Sequence, residues 1–136
     1  MGSFSSMDIS ASGLFAQRVR LDAIANNIAN AMTTRTEKGG PYKRLEVVFK
    51  ASSGQFDPSN AGVQVESVVE SDDPPKMIYD PSHPDAGPDG MVAMPNVNIV
   101  EEMVDLISAT RAYEANIMAI NAARSMISKA LEIGRT

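Results

Sequence analysis

All eight prolines of this chain fall between Pro41 and Pro95. Proline lacks a backbone donor and clashes with the preceding helical turn, so no long helix can run through that middle stretch. The two proline-free ends are free to be helical. The expected fold is therefore mainly α with a small β-rich insert: long N- and C-terminal helices packed as a coiled-coil hairpin around a Pro/Gly-rich β/loop segment. The divisions fall at residues 1–34, 35–95 and 96–136.

The N-terminal end reads as a helix that Ser5 caps, with Asp8 suited to the positive end of the helix dipole. Met7, Leu14, Leu21 and Ile28 recur every seven residues, and Gly13 weakens the first turns. The helix is expected to end near Thr33–Thr34, before Gly39-Gly40-Pro41. At the far end Asn98 is a good cap, followed by Glu101, Glu102 and Asp105. From there Ile99, Met103, Leu106, Thr110, Tyr113, Ile117, Ile120, Arg124, Ile127 and Leu131 alternate in steps of four and three, a heptad seam that Gly134 closes. Leu14, Leu21, Ile28 and the apolar members of this second series are the candidate assembly seam.

A stripe of smaller residues runs beside that seam: Ala109, Ala112, Asn116, Ala119, Ala123, Met126 and Ala130. It widens the arc over which the last helix can make contact. On the first helix Asn26, Asn27 and Asn30 lie opposite Leu21 and Ile28. Three asparagines in two turns disfavour an isolated helix, and a single partner helix covers only one face. Asn26, Asn27, Asn30 and Asn116 are therefore expected to make polar contacts between subunits. The bland alternative is that the seams are the core of a monomeric helical protein and the asparagines face water.

Composition removes several function classes. The formal charge is −5, and residues 33–95 carry six basic and ten acidic side chains. Such a chain lacks the clustered cations that nucleic-acid binding needs. It has no cysteine, so neither disulfides nor thiolate chemistry is available. Met1 to Ala11 has no charged region followed by an apolar run, so no cleaved signal peptide is expected. The apolar windows are interrupted by Arg18, Arg20, Asp22, Glu114 and Arg124, which argues against membrane insertion.

In the middle, Tyr42–Phe49, Val63–Val69 and Met77–Tyr79 read as short strands. The acidic turn from Asp80 to Gly90 holds the only histidine, His83, beside Asp80, Asp85 and Asp89. A calcium loop starting at Asp85 fails, with Pro88 at its fourth position and Asn96 at its twelfth. No second histidine completes a transition-metal set. Asp-Pro, His-Pro and Asp-Gly are ordinary turn chemistry, so the segment is expected to aim the last helix. No phosphate loop, dinucleotide fingerprint or nucleophile elbow is present. No cofactor and no enzymatic activity are expected.

Ser12-Gly13-Leu14, continuing through Arg20-Leu21-Asp22-Ala23-Ile24-Ala25-Asn26-Asn27-Ile28-Ala29-Asn30, resembles the N-terminal signature of bacterial flagellar rod and hook proteins. The stretches Asp80-Pro81 to Asp89-Gly90, Met94-Pro95-Asn96-Val97-Asn98 and Val100-Glu101-Glu102-Met103-Val104-Asp105 look like the short proximal-rod branch of that family. So do Arg111-Ala112-Tyr113-Glu114-Ala115-Asn116 and Ala130-Leu131-Glu132-Ile133-Gly134. The resemblance implies that both termini join an inner coiled-coil layer of a tubular rod and that the middle lies outside it. It implies a structural role in torque transmission and assembly in the basal body across the periplasm. It also implies export through the flagellar type III apparatus. Implied partners are the other proximal and distal rod proteins and the adaptor joining rod to membrane ring. A soluble coiled-coil adaptor or export chaperone would share the helical ends, the acidic charge and the lack of catalytic motifs.

Overall fold

The computed structural model describes residues 2–52 and 62–135, with side chains from Ser6 onward. Helix α1 spans Gly2–Ala29 and helix α2 spans Ile99–Gly134. Between them lie β1 (Leu45–Ser52), β2 (Gly62–Glu70), β3 (Lys76–Tyr79) and β4 (Met91–Met94). The chain thus has two long helices and a small antiparallel insert, as the proline distribution implies.

At the rise of about 1.5 Å per residue, the 28 residues of α1 and 36 residues of α2 make rods of roughly 40 and 55 Å. Asn98 caps α2: its Oδ1 accepts from the Val100 N–H at 3.1 Å and the Glu101 N–H at 3.4 Å. Glu101 and Glu102 occupy the first turn, where the helix dipole favours carboxylates. At α1 the expectation needs correction. The helix begins at Gly2, so Ser5 sits inside it rather than at its cap, and the Ser5 side chain lies outside the described residues. Its other end also comes sooner, at Ala29, and residues 30–32 form a turn. There Thr33 donates its backbone N–H to Asn30 O, and Tyr42 donates its N–H to Thr33 O, drawing the chain back toward β1.

Among the described residues the insert forms two separate ribbons. β1 pairs with β2 from Leu45 opposite Glu70 to Ser52 opposite Gly62, with a bulge between Val48 and Phe49. This hairpin docks on α1: Ser12 Oγ accepts the Val63 N–H at 3.1 Å and donates to Ile9 O at 2.6 Å. β3 pairs with β4, Lys76 opposite Met94 and Tyr79 opposite Met91. β4 is absent from the sequence reading because four residues between Gly90 and Pro95 are too few to show a period. Its Val92 and Met94 are nonetheless buried, as are Pro95 and Val97 after it.

The acidic turn joins the two strands of the second ribbon. Asp80 N–H bonds to Gly90 O at 2.9 Å, and Gly87 N–H bonds to Met91 O at 2.9 Å. Gly90 has φ +78°, a conformation that favours glycine, and the exposed Tyr79 ring packs close beside it. The three carboxylates are each engaged: Asp80 by Ser82, Asp89 by the Met91 N–H, and Asp85 by Thr34 and Arg35. His83 Nδ1 accepts the Asp85 N–H at 3.0 Å. Among the described residues no three acidic, histidine or cysteine side chains converge on one point. The turn that precedes α2 is thus tied back to the segment leaving α1.

Candidate functional site

The helices run antiparallel in one register. Gly13 abuts Asn116, Arg20 reaches Asp105 at 3.9 Å, and Asn27 bonds to Glu102. A Cβ on Gly13 would stand 2.9 Å from both Asn116 Nδ2 and Oδ1. The residue that reads as a weak point in an isolated helix therefore makes room for the Asn116 side chain of the facing helix. Asn116 itself donates Nδ2 to Ala112 O at 3.0 Å. The buried positions on α2 are Glu102, Ala109 and Ala123. With half-buried Asn116 they form a row spaced by seven. On α1 the buried positions are Ala16, Ala23, Ile24 and Asn27.

This places the contact between the chain's own helices on the stripe of small residues. The larger seam lies further out. On α1, Leu14, Leu21 and Ile28 are half-buried. On α2, Leu106, Tyr113, Ile120 and Ile127 are half-buried, while Ile99, Met103, Ile117 and Leu131 are exposed. Small side chains let backbones approach closely, and that approach leaves bulky neighbours at the margin of the contact. Beyond them α2 presents Val100, Val104, Ile107, Met118, Met126 and Ile133, each more than half exposed. Carried on in the same register, the start of α1 at Gly2 falls short of the last turn of α2, where Leu131 and Ile133 are exposed.

A polar cluster pins one end of the hairpin. Glu102 is 1% exposed, and its Oε1 accepts from Arg44 Nε at 2.5 Å while Oε2 accepts from Asn27 Nδ2 at 3.3 Å. Asn27, also 1% exposed, donates Nδ2 to Leu45 O at 3.0 Å. Its Oδ1 accepts the Leu45 N–H at 2.8 Å and the Tyr42 hydroxyl at 2.9 Å. Arg44 also pairs with Glu46 at 2.9 Å and approaches Asp105 at 4.0 Å. The hydrogen bond from Arg44 to Glu102 raises its already high pKa further. Burial raises the Tyr42 phenol above its ordinary value, and the Glu102 and Glu70 carboxylates add to the shift. Among the described residues no buried side-chain nitrogen or oxygen lacks a partner.

The asparagine expectation is corrected here for Asn27. The chain's own β1 and α2 cover it completely, because β1 folds across the end of the hairpin and supplies a backbone N–H and C=O. Asn26 and Asn30 stay nearer the surface and donate back to their own helix, to Asp22 O at 3.0 Å and Asn26 O at 2.9 Å. Sequence reasoning missed Glu102, Arg44 and Asp105 as a group. The signal was available: continued backward from Ala109, the small-residue stripe lands on Asp105 and Glu102.

The arrangement is thus a polar clasp at one end of the helix pair, with apolar side chains exposed along α2. Two family models match the chain. Residues 7–35 match the flagella basal body rod protein family, and residues 89–133 match the C-terminal region of the flagellar basal body rod FlgEFG proteins. Full-length relatives agree. The flagellar basal-body rod protein FlgC of Borreliella burgdorferi is 47% identical, covering 98% of this chain and 98% of its own. That of Bacillus subtilis is 43% identical, over 99% and 100%. That of Salmonella typhimurium is 45% identical, over 94% and 95%. The chain belongs to the FlgC family of flagellar basal-body rod proteins.

Proposed function

We propose that this chain is a structural subunit of the flagellar proximal rod, assembling through its terminal helices into the tubular shaft that carries torque from the membrane ring to the hook. The observation that carries the reading is the near-full-length identity to three FlgC proteins. The exposed apolar surface of α2 supports it. Val100, Val104, Met118 and Ile133 are 60–75% exposed, and large exposed apolar patches mark protein contacts.

In this reading residues 1–34 and 96–136 form an inner coiled-coil layer, and residues 35–95 form the outer part. The seam residues Ile99, Met103, Ile117 and Leu131 meet helices of neighbouring subunits, while Leu14, Leu21, Ile28, Leu106, Tyr113, Ile120 and Ile127 bridge the internal and external contacts. Asn26, Asn30 and Asn116 provide polar contacts at that boundary. Partners are other proximal and distal rod proteins and the adaptor that seats the rod on the membrane ring. The subunit reaches the periplasm through the flagellar type III export apparatus.

The reading is tested by deleting the gene in its own host and isolating basal bodies. Loss of hook and filament, restored by the intact gene, together with the chain in purified rods, is the expected result. A chain that stays with the export apparatus and never enters the rod would establish the adaptor or chaperone reading instead.

A further inference from the structure

We infer that Glu102 is a positioning residue: with Arg44 it selects one of several heptad registers open to the two helices. The contact row on α2, Glu102–Ala109–Asn116–Ala123, repeats every seven residues, as does Gly13–Arg20–Asn27 on α1. Gly13 on α1 and Ala109 and Ala123 on α2 are small enough to fit one another after a slip of one heptad. Gly13 would then face Ala109 or Ala123 in place of Asn116, a displacement of about 10 Å along the axis. Nothing in the small-residue row forbids it. The clasp does, because Arg44, just before β1, and Asn27 on α1 meet the Glu102 carboxylate only in the observed register.

After a slip in one direction Glu102 lies beyond the end of α1, and in the other it meets Arg20 while Asn27 runs off the start of α2. Either way Arg44, whose backbone O accepts the Ser71 N–H just beyond the β1–β2 pairing, no longer faces it. Arg20 would stand in as counter-ion in the second slip, but both slips forfeit the bonds that Glu102 accepts from Arg44 and Asn27, and a buried polar group at a repeating helix contact is the best-attested device for fixing register. The slipped registers should be rarer by about tenfold or more. The device also fixes where the exposed row Val100–Val104–Ile107 stands relative to the β1–β2 hairpin, since α2 carries that row.

The absence of cysteine allows a direct test on the full-length chain. Three pairs are introduced separately: Gly13→Cys with Asn116→Cys for the observed register, and Gly13→Cys with Ala109→Cys or Ala123→Cys for the slipped ones. A disulfide tolerates Cα separations only up to about 7 Å, so each pair reports one register. With the clasp intact, only the first pair should crosslink. In R44M/E102L, which replaces the ion pair by apolar side chains and leaves Asn27 its Leu45 partners, crosslinking of a slipped pair should rise about tenfold or more. Arg44→Lys, which keeps a cation, should hold the slipped pairs at background. Slipped crosslinks in the intact chain would overturn the proposal, and so would a helical R44M/E102L chain that crosslinks only through 13 and 116. Loss of helicity in both R44M/E102L and R44M/E102A would overturn it too, since a pair that only chooses among registers is not needed for folding.

Discussion

Asn27 and Glu102, 75 positions apart in sequence, meet through a hydrogen bond from Nδ2 to Oε2 of 3.3 Å, and each is 1% exposed. The pair joins the two helices, and through Leu45, Tyr42 and Arg44 it also joins them to the start of β1. The insert is thereby fixed to the helical hairpin through buried polar bonds, in addition to the contact between Val63 and Ser12.

Removing one partner of a buried charge pair costs far more than replacing both. Glu102→Ala should therefore destabilise the folded chain by about 2–3 kcal/mol, toward the lower end of the usual range because Arg44 is partly solvated. R44M/E102L should cost less than Glu102→Ala alone. Denaturant unfolding of the three chains measures both values. A Glu102→Ala chain as stable as the parent would show that the clasp contributes nothing.

Gly13 and Asn116 should be energetically coupled. In an exposed helix Gly→Ala gains about 1 kcal/mol, but here the new Cβ would stand 2.9 Å from the Asn116 amide. Gly13→Ala is expected to be neutral or destabilising with Asn116 present and stabilising by up to about 1 kcal/mol after Asn116→Ala. A double-mutant cycle reads the difference. Additivity within about 0.3 kcal/mol would mean that the helices do not approach at this point.

Much of this architecture was legible beforehand, and the reasons differ by element. Proline and glycine punctuation placed the insert, and Asn98 with Glu101 placed the start of α2, because both are local effects. The heptad pattern identified which positions on α2 are apolar but not which of two adjacent rows faces α1. That choice depends on how closely the backbones approach, and Gly13 opposite Asn116 decides it from the other end of the chain. Asn27 was misjudged for the same reason. Its partners on β1 are 18 residues away, and helical periodicity says nothing about a strand folding over the helix end. Glu102 reads as one of the carboxylates that follow the Asn98 cap, and only its place in the row of seven hinted at burial.

The tie between the acidic turn and the segment after α1 should weaken in acid. Hydrogen bonding from Thr34, then from Arg35, lowers the Asp85 carboxyl below its ordinary value. A carboxylate with a lowered folded pKa contributes stability above its unfolded pKa of about 3.9 and loses it as pH falls through the folded value. Asp85→Asn should remove that part of the acid dependence and leave stability near neutrality modestly reduced. Unfolding midpoints measured between about pH 2 and 7 test this. An unchanged acid limb in Asp85→Asn would show that the tie does not contribute.

The two rows of α2 should fail differently when charged. Ala123 is 8% exposed and lies in the row facing α1, whereas Ile117 is 38% exposed on the outer margin. A carboxylate at position 123 would be buried without a counter-ion, so Ala123→Asp should unfold the hairpin and lower the amount of subunit in the cell. At position 117 the charge stays wet in the isolated chain. Ile117→Asp should therefore leave the subunit folded and abundant but unable to assemble, because burial against a neighbour would strand the charge. Leu106→Asp, half-buried on the same margin, should do both to a lesser degree. Motility assays, with immunoblots of whole cells and of purified basal bodies, separate the cases. Normal swimming in both Leu106→Asp and Ile117→Asp strains would show that the outer margin of α2 is not an assembly seam.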